Sequence, residues 1–121
     1  MPLDITSKDE YILAEYSTGM DYWEIMDGIS KLCSMPEFKD KNDIWVFRDG
    51  QMKMLYSDLQ QIKNSVEQIH PIGSTGKKTA IVTETGVQHS LATLYSDIGA
   101  DLPREIRVFS DLKSAKDWVT T

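Results

Sequence analysis

The chain has 121 residues, a formal net charge of −6, 40% hydrophobic residues and 26% charged ones, so one domain around one hydrophobic core is the expectation. The acidic balance argues against nucleic-acid binding, which needs a basic footprint, and against simple electrostatic docking to anionic lipid. No apolar run approaches the ~20 residues that span a bilayer, the start Met1-Pro2-Leu3-Asp4 lacks a secretory pattern, and the single cysteine forbids an intrachain disulfide, so the expected address is cytoplasmic.

Leu3, Ile5 and then Tyr11 to Tyr16 predict two short strands joined near Ser7-Lys8-Asp9, a link tight enough for an antiparallel pair. Ser17-Thr18-Gly19 breaks the second strand. Asp21 with Glu24 three residues later has capping-box form. It predicts a helix running to about Ser34 and stopping before Pro36, interrupted by Gly28. Cys33 falls at helical spacing with Tyr22, Met26 and Ile29, and reads as a buried inert thiol on an apolar stripe. Asp43 to Arg48 is a strand ended by Asp49-Gly50. Gln51 to Tyr56 alternates methionines with polar residues and fits a short extended piece or a loop. Ser57 with Gln60 is a second capping signature. Leu59, Ile62, Val66 and Ile69 give the helix behind it one apolar face, ended by His70-Pro71 and the Gly73-Ser74-Thr75-Gly76 turn.

Lys77 to Thr83 is a strand with a Val/Ile centre, its Lys77-Lys78 pair reading as a solvated start. Thr85 with Gln88 opens a third helix carrying Val87, Leu91, Leu94 and Ile98 at helical spacing, closed by Gly99. Arg104 to Phe109 is a further strand. Ser110 or Asp111 opens a last helix marked by Leu112, Ala115, Trp118 and Val119. Four consecutive strand-then-helix units thus follow one extra N-terminal strand. This is the pattern of an α/β fold: a mostly parallel five-stranded sheet with helices packed on it, as a single domain over residues 1–121.

Three stretches carry a family resemblance. They are Ala80-Ile81-Val82-Thr83, the helix with Leu91, Ala92 and Tyr95, and Arg107-Val108-Phe109-Ser110-Asp111-Leu112-Lys113-Ser114-Ala115-Lys116-Asp117-Trp118-Val119. Together they resemble the SpoIIAA-like family of small bacterial STAS-type domains, relatives of anti-sigma-factor antagonists and of the cytoplasmic modules of anion transporters. The likeness is best in the last third, while order and length of the elements agree throughout. It implies a SpoIIAA-like fold and a non-enzymatic regulatory or protein-interaction role. In the sigma-regulator branch a phosphorylatable serine opens the second helix within an Asp-Ser-Ser-Gly-like sequence. Tyr56-Ser57-Asp58-Leu59 matches it only at the serine and the leucine. The resemblance therefore makes Ser57 the phosphorylation candidate, with an ordinary helix cap as the alternative. Some members of the wider group look like lipid-associating or apolar-ligand proteins that change between open and closed shapes.

The carboxyl edge of a parallel sheet, where following helices aim their N-termini, is where ligands collect. Thr85, Gly86 and Ser110 are the anion-binding candidates there, with plain capping as the alternative. Met20 and Trp23 beside one strand end, and Met52, Met54, Leu55 and Tyr56 beside another, would make a soft apolar rim around a cleft; otherwise they fill the core. Asp49, Glu84 and Asp111 also end strands, as in a Mg²⁺-binding phospho-receiver domain. That fold needs an adjacent acidic pair and a late lysine, where Ser17-Thr18 and Ser110-Asp111 stand instead. His70 reads as a loop residue and His89 as exposed, so no acid and base are paired. No catalytic residue, metal or cofactor is expected. Two readings remain. One is a non-enzymatic interaction module with a protein partner, switched at Ser57. The other is a carrier or sensor of an apolar small molecule or lipid with peripheral membrane association. A homodimer fits either.

Overall fold

The computed structural model describes residues 3–17, 20–38, 40–48, 52–69, 76–102 and 104–121, with the backbone alone at 20, 52 and 69. The readings placed on Thr18, Gly19, Asp49, Gly50, Gln51, His70, Pro71 and residues 73–75 lie outside them. In chain order the elements are β1 (Leu3–Ser7), β2 (Tyr11–Tyr16), β3 (Met20–Asp21), α1 (Tyr22–Cys33), β4 (Asn42–Phe47), β5 (Met52–Lys53), α2 (Tyr56–Ile69), β6 (Lys78–Thr83), α3 (Gly86–Ile98), β7 (Glu105–Phe109) and α4 (Leu112–Val119).

The main sheet has the order β1-β2-β4-β6-β7. β2, β4, β6 and β7 pair in parallel, while β1 runs antiparallel to β2 with Leu3 opposite Tyr16. The expected mostly parallel sheet is therefore a mixed one. The cause is the link through Lys8 and Glu10, which is too short for a crossover and long enough only for a hairpin. Lys8 N–H closes it on the Tyr11 carbonyl at 2.8 Å. The segment read as strand or loop becomes β5, which pairs in parallel with β3 to form a separate two-stranded sheet.

Side-chain alternation divides the chain into two cores. Ile12, Ala14, Tyr16, Trp45, Phe47 and Ile81 face α1, α2 and α3. Leu13, Ile44, Val46, Ala80 and Val82 face the opposite way, onto Ala115 and Val119 of α4. Three crossovers stepping in the same direction place their helices on one face. The last helix has no strand to return to and covers the other face. α3 lies directly on β6 and β7, whereas the nearest backbone neighbours of α2 are α1 and α3 rather than the sheet.

Helix ends follow local chemistry at three of four starts. Asp21 accepts the Glu24 N–H at 3.0 Å, Thr85 accepts the Gln88 N–H at 3.1 Å, and Asp111 accepts the Ser114 N–H at 2.7 Å. α2 differs from the expectation. Ser57 is its second residue and caps nothing; Leu55 precedes the helix, and its N–H donates to Asp58 Oδ2 at 2.9 Å. An acid three residues into a helix start can satisfy that donor without a capping hydroxyl. α3 is also rotated relative to its expected stripe. Val87, expected on the apolar stripe, is exposed, and Gln88 beside it is fully buried. The Gln88 amide is consumed by backbone groups. Its Oε1 accepts the Glu84 and Thr85 N–H groups at 2.9 and 3.3 Å, and its Nε2 donates to the Arg48 carbonyl at 3.0 Å. Lys78 is not a solvated strand start either. Its ammonium donates to the Trp118 carbonyl at 2.9 Å and lies 5.3 Å from the Trp118 ring, a cation at the C-terminal end of α4.

Candidate functional site

Parallel pairing of β2, β4, β6 and β7 brings the starts of the following helices to one edge of the sheet. The exposed large apolar side chains among the described residues are Trp23 (75% exposed), Leu55 (71%), Tyr56 (53%) and Val87 (65%). All four stand at or within two residues of the start of α1, α2 or α3. Trp23 packs edge-on against Tyr22, with ring centroids 5.0 Å apart. Pairing of Met20 with Met52 in the small β3–β5 sheet ties the start of α1 to the approach to α2. The expected apolar candidates are thus gathered at one end. Of the described side chains among them, Trp23, Leu55 and Tyr56 turn to the surface, while Met54 is half-buried and lines a cavity between sheet and helices.

At the same edge of the sheet lies a set of polar contacts centred on Arg48. Its guanidinium donates to Glu15 Oε2 at 3.0 and 3.2 Å and lies 3.8 Å from Glu84. Its own N–H donates to the Tyr16 carbonyl at 2.9 Å, and its carbonyl takes the Gln88 amide. The ends of β2, β4 and β6 are therefore held by one residue. Thr85 has its hydroxyl committed to the α3 cap, and Gly86 is the exposed first residue of that helix. Ser110 is exposed and sits before the Asp111 cap of α4, across the sheet from the other helix starts. The Ser114 N–H and hydroxyl hold the Asp111 carboxyl below the usual carboxylate range. Glu84 is drawn to Arg48 and Asp111 to its cap, and among the described residues no group of three acids, histidines or cysteines is arranged to hold a metal ion. His89 is exposed, with Nδ1 3.4 Å from the Thr83 hydroxyl.

The gap between the sheet and the α1–α2–α3 layer holds a partly open cavity of about 100 Å³. Trp45, Phe47 and Ile81 form part of its floor; Ile29, Ile62 and Ala92 form part of its roof. The cavity exists because Leu59, Ile62 and Val66 reach from a helix that stands off the strands.

One end of the cavity is polar. Asp43 and Arg104 meet there at 2.8 Å, each 4% exposed at the side chain. Asp43 also accepts Trp45 Nε1 at 2.7 Å and the Thr79 hydroxyl at 2.7 Å. Burial pushes its carboxyl above the usual carboxylate range, against the pull of Arg104 and of those donors. Arg104 Nη1 also donates to the Lys41 carbonyl at 3.0 Å, and Nη2 to the Phe38 carbonyl, with the guanidinium stacked 3.8 Å from the Phe38 ring. Cys33 and Tyr95 complete this end. Burial pushes the Cys33 thiol up to about 11, and it raises the Tyr95 hydroxyl as well. Sequence reasoning missed Asp43 and Arg104 as a pair. The signal that existed was alternation: Asp43 shares its strand face with Trp45 and Phe47, an acid on an apolar side that demands a buried partner.

This arrangement defines a class: an α/β layer protein with a helix-start rim on a mixed five-stranded sheet. No family model matches the chain, and no curated protein matches it. Among solved structures, the chain is similar to an uncharacterized protein of the DUF3478 family from Shewanella loihica PV-4, described as having a SpoIIAA-like fold. The identity is 13% and the TM-score 0.56, over 97% of this chain and 91% of that one. At that identity the likeness shows the fold alone. The chain has a SpoIIAA-like fold, as the resemblance in its sequence implied. No helix among the described residues is long and apolar enough to cross a membrane.

Proposed function

We propose that the chain is a non-enzymatic interaction module of STAS type whose partner is a protein docking on the helix-start rim. The observation that carries this reading is the concentration of exposed large apolar side chains, Trp23, Leu55, Tyr56 and Val87, at the starts of three adjacent helices. Exposed apolar side chains gathered at one edge of a small domain are what an interaction site offers. Aromatic side chains supply most of the energy in such interfaces. Ser57 lies inside the rim, exposed and next to Tyr56 and Asp58. A phosphate there would add a charge of about −1.5 to −2 beside an acid in an apolar contact, which repels a partner rather than recruiting one.

A photo-activatable residue placed at 23, 56 or 87 in the native host tests the reading, with positions 8 and 101 at the opposite edge as controls. The expected result is a discrete heavier adduct from the rim positions and none from the controls. It should be lost in Trp23→Asp and weakened at least tenfold in Ser57→Asp. Adducts spread evenly over both ends, or none at all, overturn it. Co-sedimentation with neutral vesicles that Trp23→Asp abolishes would replace the protein partner with a lipid surface.

A further inference from the structure

Among the described strands, β7 closes the main sheet on one side, with β6 as its neighbour and its other flank unpaired. The Glu105 N–H donates to the Lys77 carbonyl at 3.0 Å, so the main-chain groups of Glu105, Arg107 and Phe109 point to β6. By alternation those of Ile106 and Val108 point outward. The Ser96 hydroxyl, which reaches the Ile106 carbonyl from α3 at 3.3 Å, marks that direction. It occupies one of the two lone pairs of that oxygen. Edge strands are commonly blunted by lysine, proline or a bulge. Glu105–Phe109 contains neither residue, and its register with β6 runs without a bulge. Its two charges, Glu105 and Arg107, then decide which strand can pair with it.

We propose that the chain forms a twofold dimer in which β7 pairs antiparallel with β7 of a second copy, centred on Ile106. A twofold contact must be complementary to itself, and charge selects the register. Centring on Glu105 or on Arg107 sets that residue against its own copy. Centring on Val108 sets Glu105 against Asp111. Centring on Ile106 sets Glu105 opposite Arg107 of the second copy, twice, at the close spacing of a non-hydrogen-bonded pair. The outward groups of Ile106 then face each other and exchange their hydrogen bonds. Both charged side chains are exposed, and they already meet along their own strand at 3.3 Å. β1, the other edge, carries Asp4 and no base, so it offers a second copy no such pair. The helix layer permits the approach. α3 rests on β6 and β7, so the two α3 axes would lie about two strand spacings apart, ~9.6 Å, a distance at which helices pack. Ser96 and Thr93, three residues apart and on one face of α3, are small enough for that distance.

Sedimentation velocity of the full chain through about 1 mM should show a dimer. Glu105→Arg and Arg107→Glu each set like charges opposite one another, and each should weaken the dimer at least tenfold. An equimolar mixture of the two variants should restore it as a heterodimer, because every facing pair is then arginine against glutamate. That rescue crosses chains, so it separates pairing from any loss within one chain. Should either variant not fold by circular dichroism, the wild-type chain supplies the test. Hydrogen exchange at the Ile106 and Val108 amides should slow at least tenfold between dilute and concentrated solution. A monomer through about 1 mM, or a dimer that Trp23→Asp dissolves and Arg107→Glu does not, overturns the proposal. Unchanged exchange at both amides in a dimer overturns it as well. Loss in both single variants without rescue in the mixture overturns the register. The pairing uses none of the rim residues, and Trp23→Asp should leave it intact, so this proposal and the interaction reading fail separately.

Discussion

Replacing Arg104 by methionine leaves the Asp43 carboxylate buried without its counter-charge, and such half-broken pairs cost about 3–5 kcal/mol. Chemical denaturation of Arg104→Met should show a loss of that order. Arg104→Met combined with Asp43→Asn should recover part of it, because no charge is then stranded; a double variant as unstable as the sum of the two singles would deny the coupling. Cys33 gives a pH signature. Its thiol lies at about 11 in the folded chain against about 8.5 for a free thiol, because burial disfavours the thiolate. Alkylation at pH 8 should therefore run about a hundredfold slower than for an unstructured cysteine peptide. The sign for stability follows. A group whose folded value is raised contributes fully below its unfolded value, and that contribution is lost as pH rises from about 8.5 toward about 11. Cys33→Ala should flatten the stability curve in that window. That Cys33 stands on the inward stripe of α1, where it is half-buried, was legible in its helical spacing. The Asp43–Arg104 pair was not, because its members lie 61 residues apart and meet only through the fold.

Among the elements, α1 shows how tertiary packing overrides local preference. Gly28 looks like a flaw in a helix, since alanine is favoured there by about 1 kcal/mol. A Cβ at Gly28 would stand 2.1 Å from the Tyr16 hydroxyl, which donates to the Glu24 carbonyl at 2.9 Å. Gly28→Ala should therefore destabilise by about 1–3 kcal/mol despite the propensity gain, as overpacking does. Tyr16→Phe in the same chain should relieve part of that penalty; thermal unfolding of the two variants decides it. Gln88→Leu is the matching test in α3. It would strand the Glu84 and Thr85 N–H groups and the Arg48 carbonyl, at about 2 kcal/mol or more. The strands and helices themselves were readable because their apolar periods of two and about 3.6 are distinct over five or more residues. β5, with two residues, has no period to read. The start of α2 misled because a Ser-x-x-Gln spacing looks the same whether the serine caps or, as here, sits one residue inside.

For the molecule as a whole, the two faces depend on different numbers of helices. Among the described helices, α4 is the one that covers Leu13, Ile44, Val46, Ala80 and Val82. Deleting residues 111–121 should expose that face and leave an insoluble or unfolded chain, as read by size-exclusion elution and circular dichroism; a soluble folded truncation would contradict the assignment of the second core. The number of strand-then-helix units could be counted in the sequence. Which helix took which face followed from the handedness of crossovers once the strand order was known. The cavity was not readable, because it depends on how far α2 stands from the sheet, a distance that no residue pattern encodes.

Arg48 has one more consequence. It joins the ends of β2, β4 and β6 at the sheet edge from which the helices bearing Trp23, Leu55, Tyr56 and Val87 start. If the proposed partner docks there, those strand ends need not move, and binding should order rotamers more than main chain. Under that proposal the expected course is rapid capture, a small ordering cost, and a residence time set by how well the aromatic rings are covered.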